Sequence, residues 1–256
     1  MTAERWARVV RHQVGLGRLL PLGGSRDGAW ISEQAAESVL RRAVDDLRGV
    51  RVDALRIALA DPEDVTDPAV PPPPSALPPG PLRVTAEFAA TAAEPLPSTA
   101  ALLRTALATA ATERLGLMVE EVDLRVTALL DEEPEAVPAR AARARAADGP
   151  AAPDGERGFV EPRAVAAPDT PDEERVMAAV LAVPGVARLT CDLSRRAVHL
   201  EERREAEGTL PRRHARVEFA VDTDHRALDV ARQVRAAVSE ALPDHPTVAV
   251  LVTAVG

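Results

Sequence analysis

Two stretches of the chain repeat the same order of strand, helix and strand. In 82–130, alternating apolar residues give way to a helical spacing at Ser98, and the alternation returns after Gly116. Alternation with period two is typical of a strand with one buried face, and spacing near 3.6 is typical of an amphipathic helix. A weaker form of the same pattern closes the chain over 213–255. The two stretches are therefore predicted to be the cores of two related units.

Each half also begins with a helix and a strand. Ser32 is a good N-cap, and the apolar residues after it form one helical stripe. In the second half, a helix is predicted to end at Pro184, and residues 197–202 are predicted to form a hairpin with the strand after Gly185. Both halves then have the order helix, strand, strand, helix, strand. This order predicts an α+β fold of two tandem small domains, each with helices packed on a small sheet.

The composition of the segments predicts the domain boundaries. We expect a basic N-terminal arm over 1–27, a first domain over 28–130, a linker over 131–170 and a second domain over 171–256. The first domain contains a proline-rich insert over 61–81, whose nine prolines favour an extended surface loop between two strands. A ligand for a domain that recognises proline-rich peptides is the alternative. The linker is rich in proline, alanine and charge, which predicts disorder.

The N-terminal arm combines five arginines with apolar residues at helical spacing, namely Trp6, Val9, Val10 and Val14. One interpretation is an amphipathic segment that contacts anionic lipid or an acidic partner. The other is a first helix docked on the acidic remainder of its own chain. The spacing alone leaves both interpretations open.

Composition excludes several classes of protein. The chain has no lysine, asparagine or tyrosine, all 31 basic residues are arginine, and the formal net charge is −9. A GC-rich genome explains this arginine content, and the negative charge opposes general binding to phosphate backbones. A single cysteine excludes an internal disulfide and a multi-cysteine zinc site. No apolar run reaches the roughly 18 residues of a membrane-spanning helix, so a cytoplasmic protein is expected.

Candidate chemistry is sparse. Cys191, Asp192, His199, Glu201 and His214 could converge on a metal ion if the predicted hairpin pairs with the next strand. Residues on a strand alternate between faces, so ordinary half-exposed strand positions are the favoured explanation.

A second acidic group precedes the last helix. Asp222, Asp224 and His225 could hold a cation, but capping of that helix by Asp224 explains them better. No phosphate-binding loop, nucleophile elbow or zinc-protease motif occurs in the chain. We therefore expect no catalytic residue, no metal ligand and no cofactor.

Three stretches resemble one family. The run from Leu115 to Val126 resembles the C-terminal pattern of the alkaline shock family, the Gls-type envelope stress response proteins, and 28–32 with its helix resembles that family's start. Residues 180–187 resemble its helix-to-strand turn. This chain would carry two divergent copies, lacks the Tyr-Gly before the second helix, and has the proline-rich insert. The resemblance implies an actinobacterial protein linked to envelope homeostasis, with no catalytic residues to carry over.

These observations predict a non-enzymatic scaffold or adaptor that acts through protein–protein contacts. The expected partner is a protein, one that could hold this chain at the inner face of the membrane, with peripheral membrane contact through 1–27 and homo-oligomerisation as further expectations. Two alternatives stay open: an RNA-binding module, and a metal-dependent or cysteine-based enzyme in the second domain. Dispersed arginine and few aromatics argue against nucleic acid as a partner.

Overall fold

The computed structural model describes residues 17–130, 165–194, 196–203 and 212–256. The strands in these ranges are β1 (Leu19–Pro21), β2 (Ala29–Ser32), β3 (Val50–Leu59), β4 (Leu82–Thr91), β5 (Val119–Leu130), β6 (Val186–Leu189), β7 (Val198–Arg203), β8 (Arg212–Val221) and β9 (Thr247–Val255). The helices are α1 (Glu33–Val44), α2 (Leu96–Thr109), α3 (Pro171–Leu181) and α4 (Ala227–Ala241). A π-helical turn, Ala110–Leu115, extends α2 to the left-handed Gly116. The predicted α+β class is confirmed.

The strands form two sheets. The smaller sheet has the order β3-β4-β5, with β3 antiparallel and β5 parallel to β4. The larger sheet has the order β1-β2-β9-β8-β6, and β7 pairs with the other end of β8. In each half the strands before and after the second helix are parallel neighbours, as a strand–helix–strand crossover requires.

Strand β2 connects the two halves. It belongs to the first half by sequence, yet Ala29, Trp30 and Ile31 pair in parallel with Val250, Leu251 and Val252 of β9. Buried apolar residues from both halves belong to one continuous cluster. Elements of the predicted domains 28–130 and 171–256 therefore share a sheet and a core.

The repeat extends to an irregularity in the sheets. The register of β4 against β5 shifts immediately after Phe88, and the register of β8 against β9 shifts immediately after Phe219. Phe88 lies opposite Val126, and Phe219 lies opposite Val252. Matching bulges at matching phenylalanines make β5 and β9 structurally equivalent strands.

Some local predictions are confirmed and others are wrong. Ser32 caps α1 as predicted, because its Oγ accepts a hydrogen bond from the Ala35 N–H at 3.2 Å. Ser98 does not begin its helix: α2 begins at Leu96, with Pro95 at the N-cap and no side-chain cap. Asp224 is not a cap either, because the chain turns there and α4 begins only at Ala227.

The predicted hairpin between β6 and β7 is also wrong. Both strands pair antiparallel with β8, β6 near Phe219 and β7 between Arg212 and Val217. The chain between β6 and β7 therefore crosses from one end of β8 to the other. Alternation in sequence predicts each strand but not which neighbour completes its hydrogen bonds.

The proline-rich insert covers the second face of the larger sheet. Val70 is buried there with Leu19, Trp30 and Leu251. Trp30 Nε1 donates to the Leu77 carbonyl at 3.1 Å. The insert therefore contributes to a small second core, although its sequence has no strand or helix period.

The predicted arm is described only from residue 17, and the stretch predicted to be helical lies outside the described residues. Within 17–27 the chain forms β1. The Leu19 carbonyl accepts a hydrogen bond from the Leu77 N–H of the insert at 2.9 Å, and Leu19 forms an isolated bridge with Ala76. In the described part of the chain, no helix is long and apolar enough to cross a membrane.

One guanidinium holds the loop before β2 against the second half. Arg235 on α4 donates to the backbone carbonyls of Arg26, Asp27 and Val248. Its neighbour Arg232, more exposed, pairs with the Asp27 carboxylate at 2.8 Å. Arg235 therefore supplies hydrogen-bond donors to carbonyls at the end of the β2–β9 pairing, where the pairing itself provides none.

Replacing Arg235 with methionine is expected to lower the free energy of unfolding by about 2–3 kcal/mol, because three carbonyls lose a charged donor. The matched variant Arg232→Met loses an exposed ion pair and should cost less than about 1 kcal/mol. Urea denaturation measures both. Equal effects of the two substitutions would contradict the assigned role of Arg235.

Candidate functional site

The sequence-predicted metal cluster is only partly assembled. His199 and Glu201 share a face of β7, their Nε2 and Oε2 atoms are 3.6 Å apart, and Glu201 lies directly opposite His214. Cys191 is buried beyond the end of β6. Among the residues described, no group of three or more His, Cys, Asp or Glu side chains is placed to hold a metal ion.

His214 is a buried structural residue. Its Nδ1 lies 2.9 Å from the Thr247 hydroxyl. Burial lowers the pKa of His214 to about 4, and the nearby positive charges of Arg203 and Arg216 act in the same direction. The imidazole is therefore neutral near pH 7, a state in which it hydrogen-bonds without the cost of a buried charge.

The second acidic group shows no convergence on a cation. Asp222, Asp224 and His225 are all exposed, and they form the turn between β8 and α4. The His225 N–H donates to the Asp222 carbonyl at 3.1 Å. Their role in the structure is to reverse the chain.

Glu218 is a buried carboxyl group that sequence reasoning missed. Its Oε2 accepts from the Leu193 N–H at 2.8 Å, and its Oε1 lies 2.7 Å from the Ser194 hydroxyl. Glu218 lies between the apolar Val217 and Phe219, so the alternating pattern predicts that its side chain faces solvent. The face is covered instead, and Glu218 fixes the segment between β6 and β7.

A protonated Glu218 carboxyl can satisfy all of the hydrogen bonds around it. The Ser194 hydroxyl lies 2.6 Å from the Arg196 carbonyl as well as near Glu218, and it has one proton to donate. If Ser194 donates to Arg196, a protonated Glu218 can donate to Ser194. Burial raises the pKa of Glu218, and the hydrogen bonds from Leu193 and Ser194 oppose the shift without cancelling it.

The free edge of β5 is the feature most suited to binding. Strand β5 pairs with β4, and in the part of the chain described here no strand lies on its other side. Arg104 Nε donates to the Val122 carbonyl at 3.2 Å, so this carbonyl points away from β4. Because alternate residues of a strand share an orientation, Leu124 and Val126 also direct their backbone groups to the free edge.

The equivalent edge of β9 is occupied. The Val250 N–H donates to the Gly28 carbonyl at 3.0 Å, and β2 pairs with residues 250–252. Val252 is fully buried, whereas its counterpart Val126 is 40% exposed. The two copies of the repeat therefore differ at this edge: a strand covers the edge of β9 and none covers that of β5 in the described ranges.

An apolar groove lies beside the end of β5. Its volume is about 720 Å³, and its apolar lining includes Leu47, Leu102, Leu129 and Leu130. Leu102 is 55% exposed and Leu129 is 60% exposed. We call the β5 edge together with this groove the β5 surface. Sequence reasoning missed it, since the pattern of β5 does not show which of its edges is paired.

Comparison of the chain with protein-family models, curated proteins and solved structures found no significant match. The resemblance to the alkaline shock family therefore stays a prediction.

Replacing Glu218 with glutamine tests the raised pKa of its carboxyl group. A raised pKa means that stability is complete below the unfolded-state value of 4.5 and is lost as pH rises towards the folded-state value. Glutamine cannot ionise, so Glu218→Gln should raise the free energy of unfolding at pH 8, with the gain vanishing near pH 4. Urea denaturation at both pH values measures this.

The control is Glu218→Ala, which leaves the Leu193 N–H without its acceptor and should destabilise the protein at both pH values. A glutamine variant that is less stable than the wild type at pH 8 would contradict the raised pKa of Glu218.

Proposed function

We propose that the protein is a non-enzymatic scaffold or adaptor that works through protein–protein contacts at the β5 surface. The observation that supports this is the difference between two equivalent strands, since β2 covers β9 while β5 keeps an open edge in the described ranges. An edge strand of this length is a template for pairing with another chain, and proteins usually shield such edges.

The surface suits a partner that supplies an extended segment. Backbone groups of Leu124 and Val126 would hydrogen-bond to the added strand, and the exposed side chains of Leu102, Val126 and Leu129 would contact apolar residues at alternate positions. Single exposed apolar residues are ordinary on protein surfaces. A group of them beside an open strand edge is typical of an interaction site.

The cellular setting is a further part of the proposal. A cytoplasmic location, peripheral at the inner face of the membrane, and a role in envelope homeostasis are supported by the resemblance of 115–126 and 28–32 to the alkaline shock family. Contact of the arm 1–27 with membrane or an acidic partner belongs to the same proposal. A deletion that tests the arm should end at residue 16, since β1 begins at Leu19.

Site-specific photo-crosslinking in the native host tests the proposed function. A photo-reactive amino acid at Leu129 is expected to give a discrete covalent adduct with a protein whose mass can be measured. The matched position is Leu181, which is 54% exposed on α3 and should give none.

A second variant, with a proline in β5, tests whether the adduct depends on the free edge of this strand. The Leu124 N–H points to the free edge, so Leu124→Pro keeps the β4–β5 hydrogen bonds and blocks strand addition. The adduct from Leu129 should then disappear. Identical adducts from Leu129 and Leu181, or an adduct that the proline leaves unchanged, would contradict binding at this edge.

A further inference from the structure

The β5 surface has a partner that the chain itself can supply. We infer that β5 pairs with β5 of a second copy of this chain, antiparallel and about a two-fold axis at Leu124. This inference rests on the proposed function, because it names the occupant of the same surface. The chain's own β2 cannot fill the position, since it is already paired with β9.

The backbone of β5 fits such a pair. Val122, Leu124 and Val126 direct their N–H and C=O groups away from β4, as the bond from Arg104 to the Val122 carbonyl shows. With the axis at Leu124, Leu124 faces Leu124 of the second copy, and Val122 faces Val126. All three positions are then hydrogen-bonded pairs of an antiparallel ladder.

The charges of β5 select this register. Asp123 of one copy lies opposite Arg125 of the other, and the two-fold axis makes this pair twice. Shifting the axis to Asp123 or to Arg125 would place that residue opposite its own copy, so like charges would meet. The Arg125 side chain is 78% exposed, and its distance to Glu87 is 3.6 Å. The guanidinium can therefore turn towards Asp123 of the second copy.

The apolar side chains of β5 fit the same register as the charged ones. Val122, Leu124 and Val126 lie opposite Val84, Ala86 and Phe88 of β4, which places all of them on the face covered by the helices. In the dimer the half-exposed Val126 packs against Val122 of the second copy.

The Arg104 side chain must leave the Val122 carbonyl when the second copy binds. Arg104 is exposed, so its guanidinium can turn into water. The result is an isologous interface that joins two three-stranded sheets into one sheet of six strands.

Sedimentation velocity over a dilution series of the full chain tests the inference. The wild type should sediment as a dimer that dissociates on dilution. Arg125→Asp or Asp123→Arg alone converts both attractive pairs into repulsive ones. Each substitution should raise the dissociation constant of the dimer by about 10- to 100-fold. The double variant Asp123→Arg with Arg125→Asp restores opposite charges and should return to within about threefold of the wild type.

The matched control is Arg56→Asp, an exposed arginine on β3 that does not reach the β5 edge, and it should leave the dimer unchanged. Thermal unfolding of each variant checks that the fold persists. A wild type that is monomeric at every concentration, or a double variant as weak as the single ones, would overturn the inference.

The two proposals fail separately. A monomeric wild type whose Leu129 crosslinks to a protein of different mass removes the self-pairing and keeps the scaffold function. A chain that neither dimerises nor crosslinks from Leu129 removes both.

Discussion

The parallel pairing of β2 with β9 joins residues about 221 positions apart in sequence, and the rest of the fold depends on it. Ser32, which caps α1, also donates to the Thr253 carbonyl, so the start of α1 is fixed on the sheet of the other half. The loop before β2 is held by Arg235. Apolar residues of both halves then close into one continuous core.

Periodicity predicted most individual elements because burial of one face leaves a regular trace in the chain. Leu82, Val84 and Phe88 alternate and are all buried, as expected of β4. Pairing between strands leaves no such local trace. The positions of β2, β6 and β7 beside their neighbours could not be predicted, since each hydrogen-bonds to strands that its own sequence does not specify.

Burial of the second face of a sheet is equally hard to predict. Glu218 alternates like a surface residue, but loop residues 193 and 194 cover it. Trp30 is covered by the proline-rich insert, which has no period to indicate packing. The candidate site follows the same rule: the alternation of Val122 and Leu124 predicted the buried face of β5. That its other edge has no strand partner in the described ranges became visible only in the comparison with β9.

The central claim is that the edge of β5 is open in one chain and becomes paired when copies associate. Residue-resolved amide hydrogen exchange tests it, with Val250 as the internal reference because its N–H is bonded to Gly28. In dilute protein the N–H groups of Leu124 and Val126 should exchange much faster than that of Val250, and at high concentration they should become protected. Exchange as slow as that of Val250 in the dilute protein would show that the edge is already covered within the chain and would contradict the claim.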